Sequence, residues 1–504
     1  MTVLWTDAVV LGPDGADTGL RALAVDPPWI VWVGRSPAHA PRCDRRVSLK
    51  GRRVSPGFVD AHAHLTMTGL VMEGVDLSAA RSALAVRREL ARFVARDPRR
   101  LVWGTGWDDA APGWRGRGPV GEDLDRASPN RFVYLTRVDS HSAVVSMRLF
   151  EAAGCAKHEG ADIDDRGRFT GVVRRDAHHA ARRFALDKLP ASAIAAANLA
   201  AARAASAAGI TTVHEMCGPL HGAGESGLDV LLDQRLPVDV VAYYASEDLR
   251  VSRSRGLRTI GGDLNVDGAL GSRTAALEKP YTDARGHAGS LYRDAGDCAA
   301  FFEEATRAGL QGGVHCIGDA ACEAAVRGLE RAARRTSLAA VRRLRHRFEH
   351  FEMASPDLIR RAARLGAGIS MQPAFDAAWG GPGRMYAKRA GARRSRAMND
   401  FRTVLRAGCV CGFGSDSPIT PFDPLAGIRA AVDPSNPSHR IAFGDAFRCA
   451  TLGAASLARE EGVKGRLACG YRADWVIWDG DPARSRRASV AATVLGGRVV
   501  SGSL

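Results

Sequence analysis

Lysine is nearly absent from this chain. It stands only at Lys50, Lys157, Lys188, Lys279, Lys388 and Lys464, so the formal net charge of +15 is carried by arginine. Basic runs such as Arg342 to Arg347 and Arg393-Arg394 invite a phosphate-binding reading. No zinc finger, RNP sequence or helix-turn-helix accompanies them. They therefore read as solvated helix faces, with an attraction for anionic substrates and no nucleic-acid partner expected. No apolar run reaches the roughly 20 residues that a membrane helix requires, so no membrane association is expected. The opening Met1 to Asp7 has no basic stretch followed by an apolar one, and cytoplasmic localisation is the expectation. The ten cysteines include no CxxC pair and read as free, buried thiols. Internal repeats are missing too, which excludes solenoid arrays.

Against these absences stands the segment Ser55 to Leu65, Ser-Pro-Gly-Phe-Val-Asp-Ala-His-Ala-His-Leu. On an extended strand, Asp60, His62 and His64 face one way, while Val59, Ala61, Ala63 and Leu65 face the other. Two imidazoles on one face can share a divalent ion, each with Nε2 about 2.0–2.1 Å from a zinc.

Seven more short apolar runs follow, most ending in a polar residue: Gly209 to Glu215, Val238 to Tyr244, Gly262 to Gly268, Gly312 to Gly318, Arg347 to Phe351, Ala367 to Pro373 and Cys409 to Asp416. Alanine- and arginine-rich amphipathic stretches separate several of them, for example Phe301 to Leu310, Ala321 to Arg334 and Ser355 to Leu365. Strands alternating with helices argue for an α/β chain with parallel pairing. Eight such units predict a (β/α)8 TIM barrel, whose working groups sit at the C-terminal strand ends. His62, His64, His315, His350 and Asp416 all fall at or near such ends.

These segments resemble the amidohydrolase superfamily, in particular its family 3 branch, which includes N-substituted formamide deformylases. The motifs that carry the resemblance are PGFVDAHAH, VDGALGSRTAAL with EKPY, HCIGDAA, RFEHFE and GSDSPITPFDPLAGI, spread from Ser55 to Ile428. The resemblance implies His62 and His64 as metal ligands from the first strand, with His315 and His350 completing the histidine set. It makes Asp416 the metal-linked general base and gives His350 and His315 catalytic roles. Such a metal lowers the pKa of bound water from 15.7 towards about 7, and one carboxylate can act as base and then acid. Many relatives bridge two metals with a carboxylated lysine on the fourth strand. Here that segment holds no lysine and reads Asp263, so a carbamate bridge is not expected. Glu215 or Asp267 could bridge instead; otherwise the site holds one ion. Zinc is the expected metal, one or two ions, because imidazole-rich sites with a carboxylate suit it.

Around the site, Arg273 could clamp a substrate carboxylate or pair within its own loop, and Gln372 and Asp319 could bind substrate or cap turns. His141 is a candidate pocket residue by resemblance. Trp103 and Trp107 could form an aromatic wall, although core packing is the commoner use of tryptophan. Residues 1–54 and 451–504 predict a small β-sandwich built from both chain ends, the latter opening with a helix. The barrel is expected over 55–450, interrupted after its first strand by a helical insertion, 73–208, placed to act as a lid. The expected activity is hydrolysis of a non-peptide C–N bond in a small molecule, an amide or N-substituted formamide, by a homodimer. The alternatives are deamination, ester hydrolysis or decarboxylation at the same metal, or a non-catalytic barrel that binds a ligand.

Overall fold

Every residue from Phe58 to Ala63 is buried, which is the mark of a strand covered on both faces. In the computed structural model, which describes residues 1–109, 111–138 and 142–504, this segment is the first of eight working strands. They are β1 (Phe58–Ala63), β2 (Ile210–Cys217), β3 (Asp239–Tyr244), β4 (Thr259–Ile260), β5 (Gln311–Cys316), β6 (Arg347–His350), β7 (Gly368–Met371) and β8 (Val410–Phe413). They pair as β3-β2-β1 and β4-β5-β6-β7-β8, and the resolved ladders β1/β2, β4/β5, β5/β6, β6/β7 and β7/β8 are parallel. Gly261 N donates to Tyr244 O (2.8 Å) and Asp416 N to His62 O (2.7 Å), linking the two sheets at both margins.

The chain divides into two compact units. The first comprises Met1–Ala63, Ala202–Met216 and Arg235–Leu504; the second comprises His64–Ala201 and Cys217–Gln234. Within the first unit, the chain ends contribute two further sheets. One orders Trp29–Gly34, Ala22–Asp26, Val3–Thr6 and Arg45–Ser48; the other orders Val9–Val10, Arg53–Pro56, Trp475–Asp479, Ser489–Leu495 and Arg498–Gly502. Their inner side chains form one apolar cluster that includes Trp5, Leu23, Val25, Val54, Trp475, Ile477 and Val494. Trp5 meets Trp475 edge to face, with ring centroids 5.3 Å apart.

The helices between strands follow local signals. Ser355 Oγ accepts from Leu358 N, Pro356 starts the helix Pro356–Leu365, and Gly366 ends it in the left-handed conformation. The fourth strand departs from expectation: Thr259–Ile260 is paired, and the chain then turns out before a single bridge, Asn265 with His315. Gly261 and Gly262 both adopt positive φ, +78° and +74°. A Cβ there would lie 2.2 Å from Gly313 O and 2.5 Å from Met216 Sδ respectively. That double glycine breaks the run and carries Asp263 off the strand line.

The second unit corrects the expected helical insertion. Its centre is a six-stranded sheet, ordered Ala161–Ile163, Phe169–Arg174, Ser142–Val145, Phe132–Arg137, Leu101–Trp107 and Val75–Asp76. Val102, Val133, Leu135 and Val144 fill one apolar cluster, whereas Leu101, Trp103, Tyr134, Ala143 and Val145 fill another. With both faces buried, period-two alternation of polar and apolar residues vanishes from the sequence, while the helices Ala83–Val94 and Arg175–Asp187 keep their pattern. Among the described residues, no helix is long and apolar enough to cross a membrane.

Candidate metal centre

The site starts from the end of β1. Asp60 Oδ1 accepts from His62 N (3.1 Å) and from Ser415 N (3.0 Å), joining β1 to the turn after β8. Burial, opposed by those hydrogen bonds, pushes the Asp60 carboxyl up to about 6. Gly414 permits the approach: a Cβ there would lie 2.5 Å from His62 N. Asp416 is thereby delivered beside His62, at φ +54°. His350, at the end of β6, has φ +66°. Non-glycine residues in this left-handed region cost on the order of 1–3 kcal/mol each, and they cluster at working sites.

Hydrogen bonds then set the rings. His62 Nδ1 lies 2.9 Å from Glu349 Oε2, and His350 Nδ1 lies 2.8 Å from Gln372 Oε1. The opposite edges converge on two carboxylates. His62 Nε2 is 4.0 Å from Asp263 Oδ1 and 3.6 Å from Asp416 Oδ1, and His350 Nε2 is 3.9 Å from Asp263 Oδ1. Two donors that each sit about 2.0–2.1 Å from one ion lie at most roughly 4.2 Å apart, so these separations fit a shared divalent cation. His62, Asp263, His350 and Asp416 are all buried. Carboxylates in such a setting need a positive partner.

The electrostatics agree. Burial works against a charged His350, but the Asp263 hydrogen bond and the Asp416 charge override it and push the ring up to about 9. A pocket that favours a proton on a buried imidazole favours a cation in general. His62 is held below its ordinary value, chiefly by burial. Glu349 stays below the usual carboxylate range despite complete burial, because the Arg347 guanidinium lies against it. Arg347 Nε donates to Glu349 Oε1 (2.7 Å) and Nη2 to Glu349 Oε2 (2.9 Å).

The remaining candidates sort by their contacts. His315 lies beside His350, ring centroids 4.6 Å apart, with Nδ1 3.5 Å from Asp267 Oδ1. Asp267 accepts from three backbone amides, Ala276 N, Ile317 N and Gly318 N, at 2.8–2.9 Å, which makes it an anchor for two loops. Glu215 is fully buried on β2. His64 opens the second unit, where its carbonyl accepts from Thr68 N and its ring stacks on His221 at 4.9 Å. Arg273 forks onto Asp283 at 3.0 and 3.1 Å, and Asp319 Oδ1 accepts from Glu278 N (2.8 Å) and Ala320 N (3.1 Å). Trp107 is packed in the core of the six-stranded sheet and donates to Leu135 O (3.0 Å). His141 lies outside the described residues.

Asp263, Arg347, Glu349 and Asp60 were not among the residues singled out from sequence as site candidates. Asp263 had a signal, since the family resemblance implies a metal-bridging lysine in the segment where this chain reads Asp263. Arg347 and Glu349 sit two residues apart on β6, so they share one face and precede His350.

Comparison with known proteins identifies the family. The description "Amidohydrolase family" matches residues 45–501. The chain is 28% identical over 501 residues to "Putative amidohydrolase YtcJ" of Bacillus subtilis, covering 90% of each. It is 22% identical over 470 residues to N-substituted formamide deformylase of Arthrobacter pascens, covering 86% of this chain and 85% of that one. Among solved structures, an uncharacterized metal-dependent hydrolase from Pyrococcus furiosus superposes with TM-score 0.80 at 27% identity, over 96% of this chain and 100% of that chain. With its buried histidine–aspartate cluster and a family match spanning nearly its whole length, this chain belongs to the amidohydrolase family.

Proposed function

We propose that this metal-dependent hydrolase of the amidohydrolase family cleaves a non-peptide C–N bond, in an amide or N-substituted formamide, with zinc as the resident metal. The observation that carries the reading is the buried set His62 Nε2, His350 Nε2, Asp263 Oδ1 and Asp416 Oδ1, with neighbouring donors 3.6–4.0 Å apart. The similarity to N-substituted formamide deformylase supports the substrate class. His315 joins the set as a further ligand, and Glu215 is the candidate bridge should two ions bind. When bound, the ion supplies a Lewis acid for the substrate carbonyl and a lowered pKa for water.

The chain's own residues do the rest. Asp416 accepts the proton of the attacking water and returns it to the departing amine. Asp60 holds the Asp416 turn against β1, and Gln372 fixes the His350 ring. His350 spends Nδ1 on Gln372 and Nε2 on the donor set, so steadying the charge that develops on the carbonyl oxygen falls to the bound ion, with the His315 ring alongside.

The architecture behind this reading is a closed (β/α)8 barrel with a β-sandwich built from residues 1–54 and 451–504. Support comes from the hydrogen bonds that join β3 to β4 and β8 to β1. It comes also from Arg347, whose side chain leaves β6 and donates to Ala61 O on β1 (2.6 Å) while meeting His214 Nδ1 on β2 (2.9 Å). A residue reaching two strands that are not its ladder neighbours must cross an enclosed interior.

Elemental analysis tests the metal. One zinc per chain, lost in His62→Ala and Asp263→Ala but kept in Glu215→Ala, is the expected result. Two ions falling to one in Glu215→Ala would make Glu215 the bridge, and no metal at all would overturn the reading. Formate or amine release from a panel of formamides and N-substituted amides tests the bond; ammonia released with no carboxylic acid formed would move the reading to deamination.

A further inference from the structure

His62 is the residue on which the centre turns, and a second set of residues decides which of its nitrogens faces the carboxylates. Glu349 Oε2 lies 2.9 Å from His62 Nδ1, and neither side chain has measurable exposure. Both Glu349 oxygens also receive Arg347 N–H groups at 2.7 and 2.9 Å. A carboxylate so engaged can only accept, so the proton of the neutral imidazole sits on Nδ1 and the lone pair on Nε2. Nε2 is the atom 4.0 Å from Asp263 and 3.6 Å from Asp416.

Arg347 is itself over-determined. Nη2 donates to Ala61 O, the carbonyl just before His62 (2.6 Å), Nη1 meets His214 Nδ1 (2.9 Å), and the guanidinium lies 4.5 Å from the centroid of the Tyr243 ring. Tyr243 Oη donates in turn to Gln311 Oε1 (2.7 Å). Backbone and ring of the same histidine are thus held by one buried ion pair.

We infer that Arg347 and Glu349 are positioning residues, which lock His62 as the Nδ1–H tautomer and aim its Nε2 into the centre. The inference deepens the metal reading above and rests on it for its functional meaning, although the tautomer itself is a property of the metal-free protein. His350 has a neutral counterpart, the Gln372 carboxamide, whereas His315 Nδ1 stands 3.5 Å from an Asp267 already engaged by amides. Of the three rings His62, His350 and His315, His62 is the one backed by the charged clamp.

Long-range proton–nitrogen spectra of the metal-free, full-length protein labelled with 15N-histidine read the tautomer directly, with His62 assigned by the signal missing in His62→Asn. Nδ1–H at His62 in the wild-type protein is expected; Nε2–H would overturn the inference, whatever any variant does. Competition with a chelator then reads zinc affinity in Glu349→Gln, which keeps the side chain's shape. A 10–100-fold loss, with circular dichroism unchanged, is expected from neutralising such an outer partner. Unchanged affinity in a folded Glu349→Gln would overturn the inference. Should the wild-type protein bind no zinc yet hold His62 as Nδ1–H, the metal reading falls and the positioning inference stands.

Discussion

His62 Nδ1 and Glu349 Oε2 lie 2.9 Å apart although 287 positions separate the two residues in the chain. The contact carries a fully buried charge to the back of a proposed metal ligand, and the charge is tolerable only because Arg347 forks onto the same carboxylate. His62, Glu349 and Arg347 therefore stand or fall together.

Arg347→Met should cost about 3–5 kcal/mol, since it strands a buried carboxylate without its partner. Replacing Arg347 and Glu349 together by apolar residues should cost less than Arg347→Met alone. Thermal and urea unfolding of the three proteins check the order; a double variant less stable than Arg347→Met would contradict it.

Asp263 and Asp267 should respond in opposite ways. Asp263→Asn is expected to lower bound metal while leaving the melting temperature of the metal-free protein close to wild type. Asp267→Asn turns an amide N–H2 towards backbone N–H donors, costing roughly 1–3 kcal/mol for each bond lost. Metal analysis beside differential scanning fluorimetry separates the two.

Asp416→Asn removes the proton acceptor, and turnover should fall by roughly 100- to 10,000-fold. Circular dichroism should not change, because Asp416 N still donates to His62 O through the backbone. Full activity in Asp416→Asn would exclude the proposed base.

The buried His346 predicts a pH dependence of stability away from the metal centre. Burial holds it down to about 3: Nδ1 accepts from Gly312 N (2.8 Å), and Nε2 lies 2.9 Å from Thr306 Oγ1. The unfolded chain binds this proton near pH 6.5 and the folded chain only near pH 3, so stability rises with pH across that window. At pH 5 the penalty from this one group is about 2 kcal/mol relative to neutral pH. His346→Asn, which retains an acceptor for Gly312 N, should show a shallower fall in urea midpoint between pH 7 and pH 5. An identical pH slope would contradict the assignment.

Much of this molecule is local information. Alternation along Phe58–Ala63 placed Asp60 and His62 on one face, and the helix Pro356–Leu365 carries its start and stop in Ser355, Pro356 and Gly366. Those features depend on residues a few positions apart, through side-chain period and capping, and so they are legible in a single sequence. The sheet of the second unit was not, because strands buried on both faces have no period to read. Nor was the place of Asp263, which depends on two glycines turning the chain after Ile260, while the pairing of Arg273 with Asp283 decides between two alternatives the sequence left open. The sequence alone offered His62, His64, His315, His350 and Asp416 as ligand candidates at strand ends and passed over Asp263. Only the tertiary structure decided that Glu349 stands behind His62, that Asp263 faces His350 and that Asp267 is taken up by backbone amides. Those are contacts between distant segments, fixed by strand register and buried hydrogen bonding, and no periodicity within one segment encodes them.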